Sequence, residues 1–162
     1  MQDYYEPRVG DVAPNFQLPS TRGKDMTLKE LRGKDVILYF YPKDDTPGCT
    51  AEACAFRDKE GDLTKSGAVI LGVSTDALPS HEKFRDKYKL NFPLLSDQTA
   101  DVAKMYGAWK EKNIYGRRTW GVSRVTYWIG ADGTIKKIYK NVDAPSHAGE
   151  ILDDLQAARK RY

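Results

Sequence analysis

Three observations predict an α/β fold built on a mixed central β-sheet flanked by helices. Val36-Ile37-Leu38-Tyr39-Phe40-Tyr41 is a near-continuous β-branched, aliphatic and aromatic run, the mark of a strand buried on both faces. A second such run, residues 68–74, follows after a stretch with helical signals, the order expected of a parallel crossover. Further on, residues 124–129 and 134–139 flank Ala131-Asp132-Gly133, and Asp-Gly between alternating apolar residues signals an antiparallel hairpin.

The elements can be taken in order. Strand-like pieces at residues 16–18 and 26–28 flank a turn containing Arg22-Gly23-Lys24, which predicts an N-terminal hairpin. Pro42 ends the first buried strand. Thr46 is a good N-cap and Pro47 suits the first turn of a helix, so a helix is expected from Cys49 to about Lys65, with Ala53, Phe56 and Leu63 among charged neighbours. Pro79 opens a second helix that runs to about Tyr88 and turns Phe84 inward. A short strand at residues 92–95 and a short helix at 99–106 precede a stretch, 107–123, that reads as irregular. A last helix is expected from Ser146 to about Arg159. Together these elements describe a thioredoxin-like fold with an N-terminal hairpin and a helical insert.

A chain of 162 residues suits one domain, and no repeat, low-complexity tract or linker divides it. With 40% hydrophobic and 30% charged residues the composition is that of a globular domain and argues against disorder. The net charge of +3 is small and both signs are interspersed, so no nucleic-acid partner is implied. Arg117 and Arg118 are the one conspicuous basic pair and read as a solvated loop. Residues 1–10 hold no apolar run, and no stretch approaches the ~18 apolar residues of a membrane helix. The expectation is a soluble, cytoplasmic protein with no membrane partner. In a reducing compartment its two cysteines are bystanders, metal ligands or redox groups and not a permanent staple.

Cys49 lies just past the first buried strand, where open α/β sheets bind ligands, and in the first turn of the expected helix. Free N–H groups and the helix dipole there favour an anion. A free thiol titrates near ~8.5, and making the thiolate dominant at neutral pH takes roughly 3.4 kcal/mol. A helix terminus supplies at most about 2 kcal/mol of that, so a hydroxyl or a cation must supply the rest. Thr46 is a hydroxyl close in sequence; Lys43 is a nearby cation free to point into solvent; Arg124, at the start of a later core strand, is the preferred cation. Cys54 follows five residues after Cys49. In a regular helix that is about 7.5 Å of rise and about 140° of rotation, which sets the Cα atoms roughly 8–9 Å apart. A disulfide needs about 7 Å, so the two can bond only if the first turns unwind.

Blander readings stand beside these. Cys54 alone could be a small buried hydrophobe, Thr46 only a cap, and Pro42 only the end of a strand. Zinc would need about four ligands, and the spacing of His81 and His147 with the cysteines matches no zinc module. A disulfide carrier would want Cys-x-x-Cys, whereas four residues intervene here.

The run Phe40-Tyr41-Pro42-Lys43-Asp44-Asp45-Thr46-Pro47-Gly48-Cys49-Thr50, with Glu52, Cys54, Phe56, Arg57 and Asp58, closely resembles the peroxiredoxins of the PrxQ or bacterioferritin comigratory type. The general signature Pro-x-x-x-Thr-x-x-Cys is complete in Pro42, Thr46 and Cys49. The likeness continues through Ser80-His81-Glu82-Lys83-Phe84, Leu94-Leu95-Ser96-Asp97 and Tyr106-Gly107 to Gly121-Val122-Ser123-Arg124, and spans roughly residues 9 to 155. It implies a peroxidase in which Cys49 is the peroxidatic nucleophile and Cys54 the resolving cysteine. Thr46 and Arg124 would hydrogen-bond the thiolate and the peroxide oxygens, and Pro42 would shield the thiolate from water. The implied partners are a peroxide substrate and thioredoxin or a similar dithiol reductant; no cofactor is implied, and a monomer is expected. Val125 and Tyr127 replace a hydroxyl residue and a phenylalanine common in relatives, and are expected to alter packing and not chemistry. The competing classes are a non-catalytic redox sensor on the same fold and a metallochaperone. A sensor needs only a reactive thiol, not the full set of Pro42, Thr46, Cys49 and Arg124.

Overall fold

A computed structural model describes residues 6–160; residues 1–5, which bear on the reading of the N-terminus, lie outside it. The N-terminal hairpin consists of β1 (Gln17–Pro19) and β2 (Asp25–Thr27), and a 3₁₀ turn follows at Lys29–Leu31. The main elements are β3 (Asp35–Phe40), α1 (Pro47–Lys65), β4 (Ala68–Ser74), α2 (Leu78–Tyr88), β5 (Leu94–Ser96) and α3 (Asp101–Met105). After them come β6 (Trp109–Ile114), β7 (Arg117–Val122), β8 (Val125–Ile129), β9 (Ile135–Tyr139) and α4 (His147–Arg159). The central sheet has the order β5-β4-β3-β8-β9, with β3, β4 and β5 parallel and β8 and β9 antiparallel to their neighbours. This is the mixed, helix-flanked thioredoxin-like sheet expected. Among the described residues no helix is long and apolar enough to cross a membrane.

Alternation along β3 divides the interior into two halves. Val36, Leu38 and Phe40 join the N-terminal hairpin and α3 through Leu18, Val102 and Tyr106. Ile37, Tyr39 and Tyr41 face the other way and pack with α1, α2 and α4 through Cys49, Phe56, Phe84 and Ile151. Every residue of this strand after Asp35 is buried, which is why it reads as an unbroken apolar run. Val125 and Tyr127 are buried in the first of these halves, and the Tyr127 hydroxyl donates to the Tyr106 carbonyl.

The segment 107–123 departs from the expectation. It is not irregular: β6 and β7 form a full antiparallel hairpin around Tyr115-Gly116, both at positive φ (53° and 79°) as a tight two-residue turn requires. The hairpin escapes a sequence reading because most of its residues on both faces are exposed, so no apolar alternation marks it. Arg117 and Arg118 accordingly begin a strand, not a loop, and Arg118 pairs with Glu111 at 3.4 Å. The insert is thus the short α3 plus this hairpin. Arg124 also falls one residue ahead of β8 and not within it.

Gly72 sits opposite Tyr39 on β4, and its missing side chain makes room for the Tyr39 ring. A Cβ there would lie 2.9 Å from Leu94 Cδ2 and from Cζ and OH of Tyr39, all of them buried. Gly72→Ala is expected to destabilise the protein by about 1–3 kcal/mol, because a packed core cannot yield that space without off-rotamer shifts. A urea midpoint for Gly72→Ala equal to that of the wild type would show that the Tyr39 ring moves freely.

Candidate active site

Sheet register explains how a residue far along the chain reaches the cysteine. β8 runs antiparallel beside β3 with Val125 opposite Phe40, so Arg124 emerges at the same end of the sheet where β3 stops and the loop to α1 begins. Cys49 stands in the first turn of α1 and is 2% exposed. From Arg124, Nη2 donates to Cys49 Sγ at 3.3 Å and Nη1 donates to Glu52 Oε1 at 2.6 Å. The two α1 residues are three apart and share a helix face, so one planar guanidinium holds both. Gly48 permits the approach, since a Cβ there would lie 3.1 Å from Arg124 Nη2. Of the two cations considered from the sequence, Arg124 is the one at the sulfur, while Lys43 is exposed.

Glu52 belongs to the family likeness without an implied role, and its i,i+3 spacing from Cys49 is the signal in the sequence that sets it on the same helix face. It is fully buried; burial pushes its carboxyl up to about 7, against the lowering effect of Arg124. Its second oxygen, Oε2, is buried with no hydrogen-bond partner. Burial alone would lower the Arg124 pKa, but Glu52 and Cys49 hold it above its ordinary value. A second cation, Lys112 on β6, had no sequence signal because its strand was not foreseen. It is half-buried, its ammonium donates to the Val122 carbonyl at 2.5 Å, and burial followed by Arg124 lowers its pKa while the field of Cys49 opposes.

The remaining expected residues fall as follows. Thr46 occupies the N-cap position of α1, but its side chain makes no capping bond; its hydroxyl donates to the Lys43 carbonyl at 2.9 Å. Among the described contacts its hydrogen bond therefore goes to the loop backbone and not to Cys49. Pro42 follows the last residue of β3 and is half-buried in the same loop. Cys54 is partly exposed, both cysteines are free thiols, and α1 runs unbroken through both. A regular helix keeps their Cα atoms about 8–9 Å apart. What this arrangement can do is hold a sulfur anion beside a guanidinium, with a second thiol one and a half turns away.

Comparison with known proteins shows the family of the chain. The AhpC/TSA family profile matches residues 9–138. Peroxiredoxin Bcp of Escherichia coli is 39% identical over 149 residues, which are 92% of this chain and 96% of that protein. The bacterioferritin comigratory protein of Xanthomonas campestris, studied for alkyl peroxide reduction, superposes with a TM-score of 0.86 at 34% identity, over 94% of this chain and 97% of its own. A Cys-to-Ser variant of Xylella fastidiosa PrxQ superposes with a TM-score of 0.90 at 33% identity, over 96% of this chain and 99% of its own. On this profile match, these identities and this likeness of fold, the chain belongs to the AhpC/TSA family, as a peroxiredoxin of the Bcp or PrxQ type.

Proposed function

We propose that the protein is a thiol-dependent peroxidase that reduces hydrogen peroxide and organic hydroperoxides through Cys49. The observation that carries this reading is the Arg124 guanidinium, which bridges Cys49 Sγ and the buried Glu52. The Cys49 thiolate attacks one peroxide oxygen, the O–O bond breaks, and the departing oxygen takes a proton and leaves as water or an alcohol. Arg124 faces the charge that develops along this bond, where oriented donors lower a barrier most. Thr46 serves by turning its hydroxyl from the Lys43 carbonyl toward the peroxide, and Pro42 limits access of water to the sulfur. The sulfenic acid left on Cys49 then condenses with the Cys54 thiol, releasing water and forming an intramolecular disulfide. Two electrons from thioredoxin or a similar dithiol restore both thiols. The enzyme works as a cytoplasmic monomer.

Steady-state peroxide consumption under excess dithiothreitol tests the reading: an enzyme turns over, whereas a sensor stops after one equivalent. Cys49→Ser is expected to abolish turnover with the fold intact, because a serine hydroxyl cannot supply the anion. Arg124→Ala is expected to slow Cys49 oxidation by about 10²-fold or more. Substantial turnover in Cys49→Ser would move the chemistry elsewhere, and an unchanged rate in Arg124→Ala would reduce that residue to packing.

Glu52 gives a pH dependence. Its carboxyl binds a proton more tightly in the folded protein (about 7) than at the ordinary value of 4.5. The stability this contributes is complete below about pH 4.5 and is lost as pH rises through about 7. Between pH 5 and pH 8 the wild type should lose on the order of 2–3 kcal/mol relative to Glu52→Gln, as read from urea denaturation of both proteins. Parallel pH profiles would mean that Glu52 stays ionised throughout.

One equivalent of peroxide should produce a Cys49–Cys54 disulfide and unwind the first turns of α1, because the helical spacing exceeds what the bond can span. Peptide mapping locates the bond, and amide hydrogen exchange over residues 47–57 reads the opening. A disulfide-linked dimer, or an oxidised helix as protected as the reduced one, would return Cys54 to the role of a partly exposed bystander.

A further inference from the structure

His81 is fully buried, titratable, and unused by the chemistry proposed above. It lies in the first turn of α2, against the loop that runs from β3 to α1 and carries Pro42 and Thr46. Its Nδ1 meets Asp44 Oδ2 at 2.7 Å and its Nε2 meets the Leu95 carbonyl at 2.9 Å. A carbonyl only accepts, so Nε2 donates. The contact between Nδ1 and Asp44 then holds one shared proton, and joins the two side chains whichever atom carries it.

Asp44 is the centre of this arrangement. Oδ1 accepts from the Tyr41 hydroxyl at 2.6 Å, and Oδ2 accepts from Ser80 at 2.8 Å. Its backbone N–H donates to Asp76 Oδ2 at 2.9 Å, and Asp76 in turn accepts from the Ser74 hydroxyl at 2.6 Å. The next residue, Asp45, is in the left-handed region at φ 58°, a costly conformation for a side chain with a Cβ. That conformation is kept by the far end of α2: Lys87 Nζ and the Tyr88 hydroxyl both reach the Asp45 carboxylate, at 2.8 and 2.7 Å. Both ends of α2 thus grip two consecutive residues of one loop, immediately ahead of Thr46 and Pro47. Apolar packing would bury this loop without fixing its direction; a set of paired hydrogen bonds admits one backbone path.

We infer that His81 is a positioning residue for Cys49 oxidation, acting through Asp44 to fix the loop that delivers Pro42 and Thr46 to the sulfur. The inference rests on the reading of Cys49 as the attacking thiol. Displacements of about 1 Å far from the reacting atoms can cost as much as 10²-fold in rate, so loosening this loop should be visible in the first chemical step.

Two substitutions separate positioning from stability. An asparagine amide nitrogen falls near the place of Nδ1 and a glutamine amide nitrogen near that of Nε2. His81→Asn therefore keeps a donor for Asp44 and loses the Leu95 bond, whereas His81→Gln does the reverse. Reduced protein is mixed with substoichiometric hydrogen peroxide, quenched over time, and the oxidised thiol is trapped with dimedone and mapped by mass spectrometry. His81→Gln should oxidise about tenfold more slowly than the wild type and His81→Asn within about threefold of it, with similar urea midpoints for the two. Equal slowing of both, or slowing of neither, overturns the inference. Tyr41→Phe removes a different bond to Asp44 with almost no change of volume, and serves if His81→Gln does not fold. It should slow oxidation several-fold, and a wild-type rate in that variant also overturns the inference. A first dimedone adduct on Cys54 in the wild type would instead overturn the reading of Cys49, and the inference with it.

Discussion

A single half-buried guanidinium organises this site. Arg124 joins the start of β8 to two residues of α1 that sit three apart, and it brings the only charge that meets Glu52 directly among the described ion pairs. Moving a carboxylate out of water costs several kcal/mol, and the pair recovers that cost only while both partners remain. Glu52 shows how narrow the balance is, since its carboxyl rises to about 7 even with the arginine beside it, and Oε2 finds no donor. The sulfur shares a cation that already has another claimant. The strength of its own contact therefore depends on how much charge Glu52 carries, which couples an acid on the buried face of α1 to the reactivity of a thiol one turn earlier.

The rest of the fold can be understood as delivering that arginine to that helix. The alternation of β3 puts Tyr39 and Tyr41 in the same interior half as Cys49, so the floor of the site is core and not loop. Tyr39 stacks on Phe56 of α1, with ring centroids 4.7 Å apart, and Gly72 clears the space it occupies. The antiparallel register of β8 against β3 fixes which residue reaches this end of the sheet; a slip of one would turn the side chain to the opposite face. Gly48 then leaves the gap through which the guanidinium reaches the sulfur.

Much of this was legible in the chain itself, for identifiable reasons. Strands buried on both faces carry continuous apolar runs, and residues 68–74 were bounded as the structure has them. The helix after Pro47 was marked by its proline and by Ala53, Phe56 and Leu63 on one face. The cysteines, Thr46 and Pro42 were marked by spacing, and Arg124 by the family likeness together with the need for a cation. The β6–β7 hairpin was missed because a strand with two wet faces has no period for a hydrophobic pattern to display, and its Tyr115-Gly116 turn carries no Asn or Asp. Lys112 was lost with it. Thr46 stands at the N-cap position as its residue type and place predict, although its hydroxyl turns back to the Lys43 carbonyl and makes no capping bond. Asp44 and His81 are 37 residues apart, and no local pattern joins them; their link exists only once α2 is laid against the loop.

The unbroken α1 helix also bears on how the protein would stand in a redox balance. If the proposed disulfide forms only when the first turns of α1 open, each bit of helical stability there favours the dithiol over the oxidised form. For a two-electron couple about 1.4 kcal/mol corresponds to about 30 mV, and stabilising the reduced form moves the potential upward. The sequence of those turns, Pro47-Gly48-Cys49-Thr50-Ala51-Glu52, is then a dial on oxidising power. Glycine at position 48 sets it lower than alanine would, by weakening the helix in the reduced protein. A residue chosen to leave room for an arginine thereby also governs how readily a donor dithiol can recharge the enzyme.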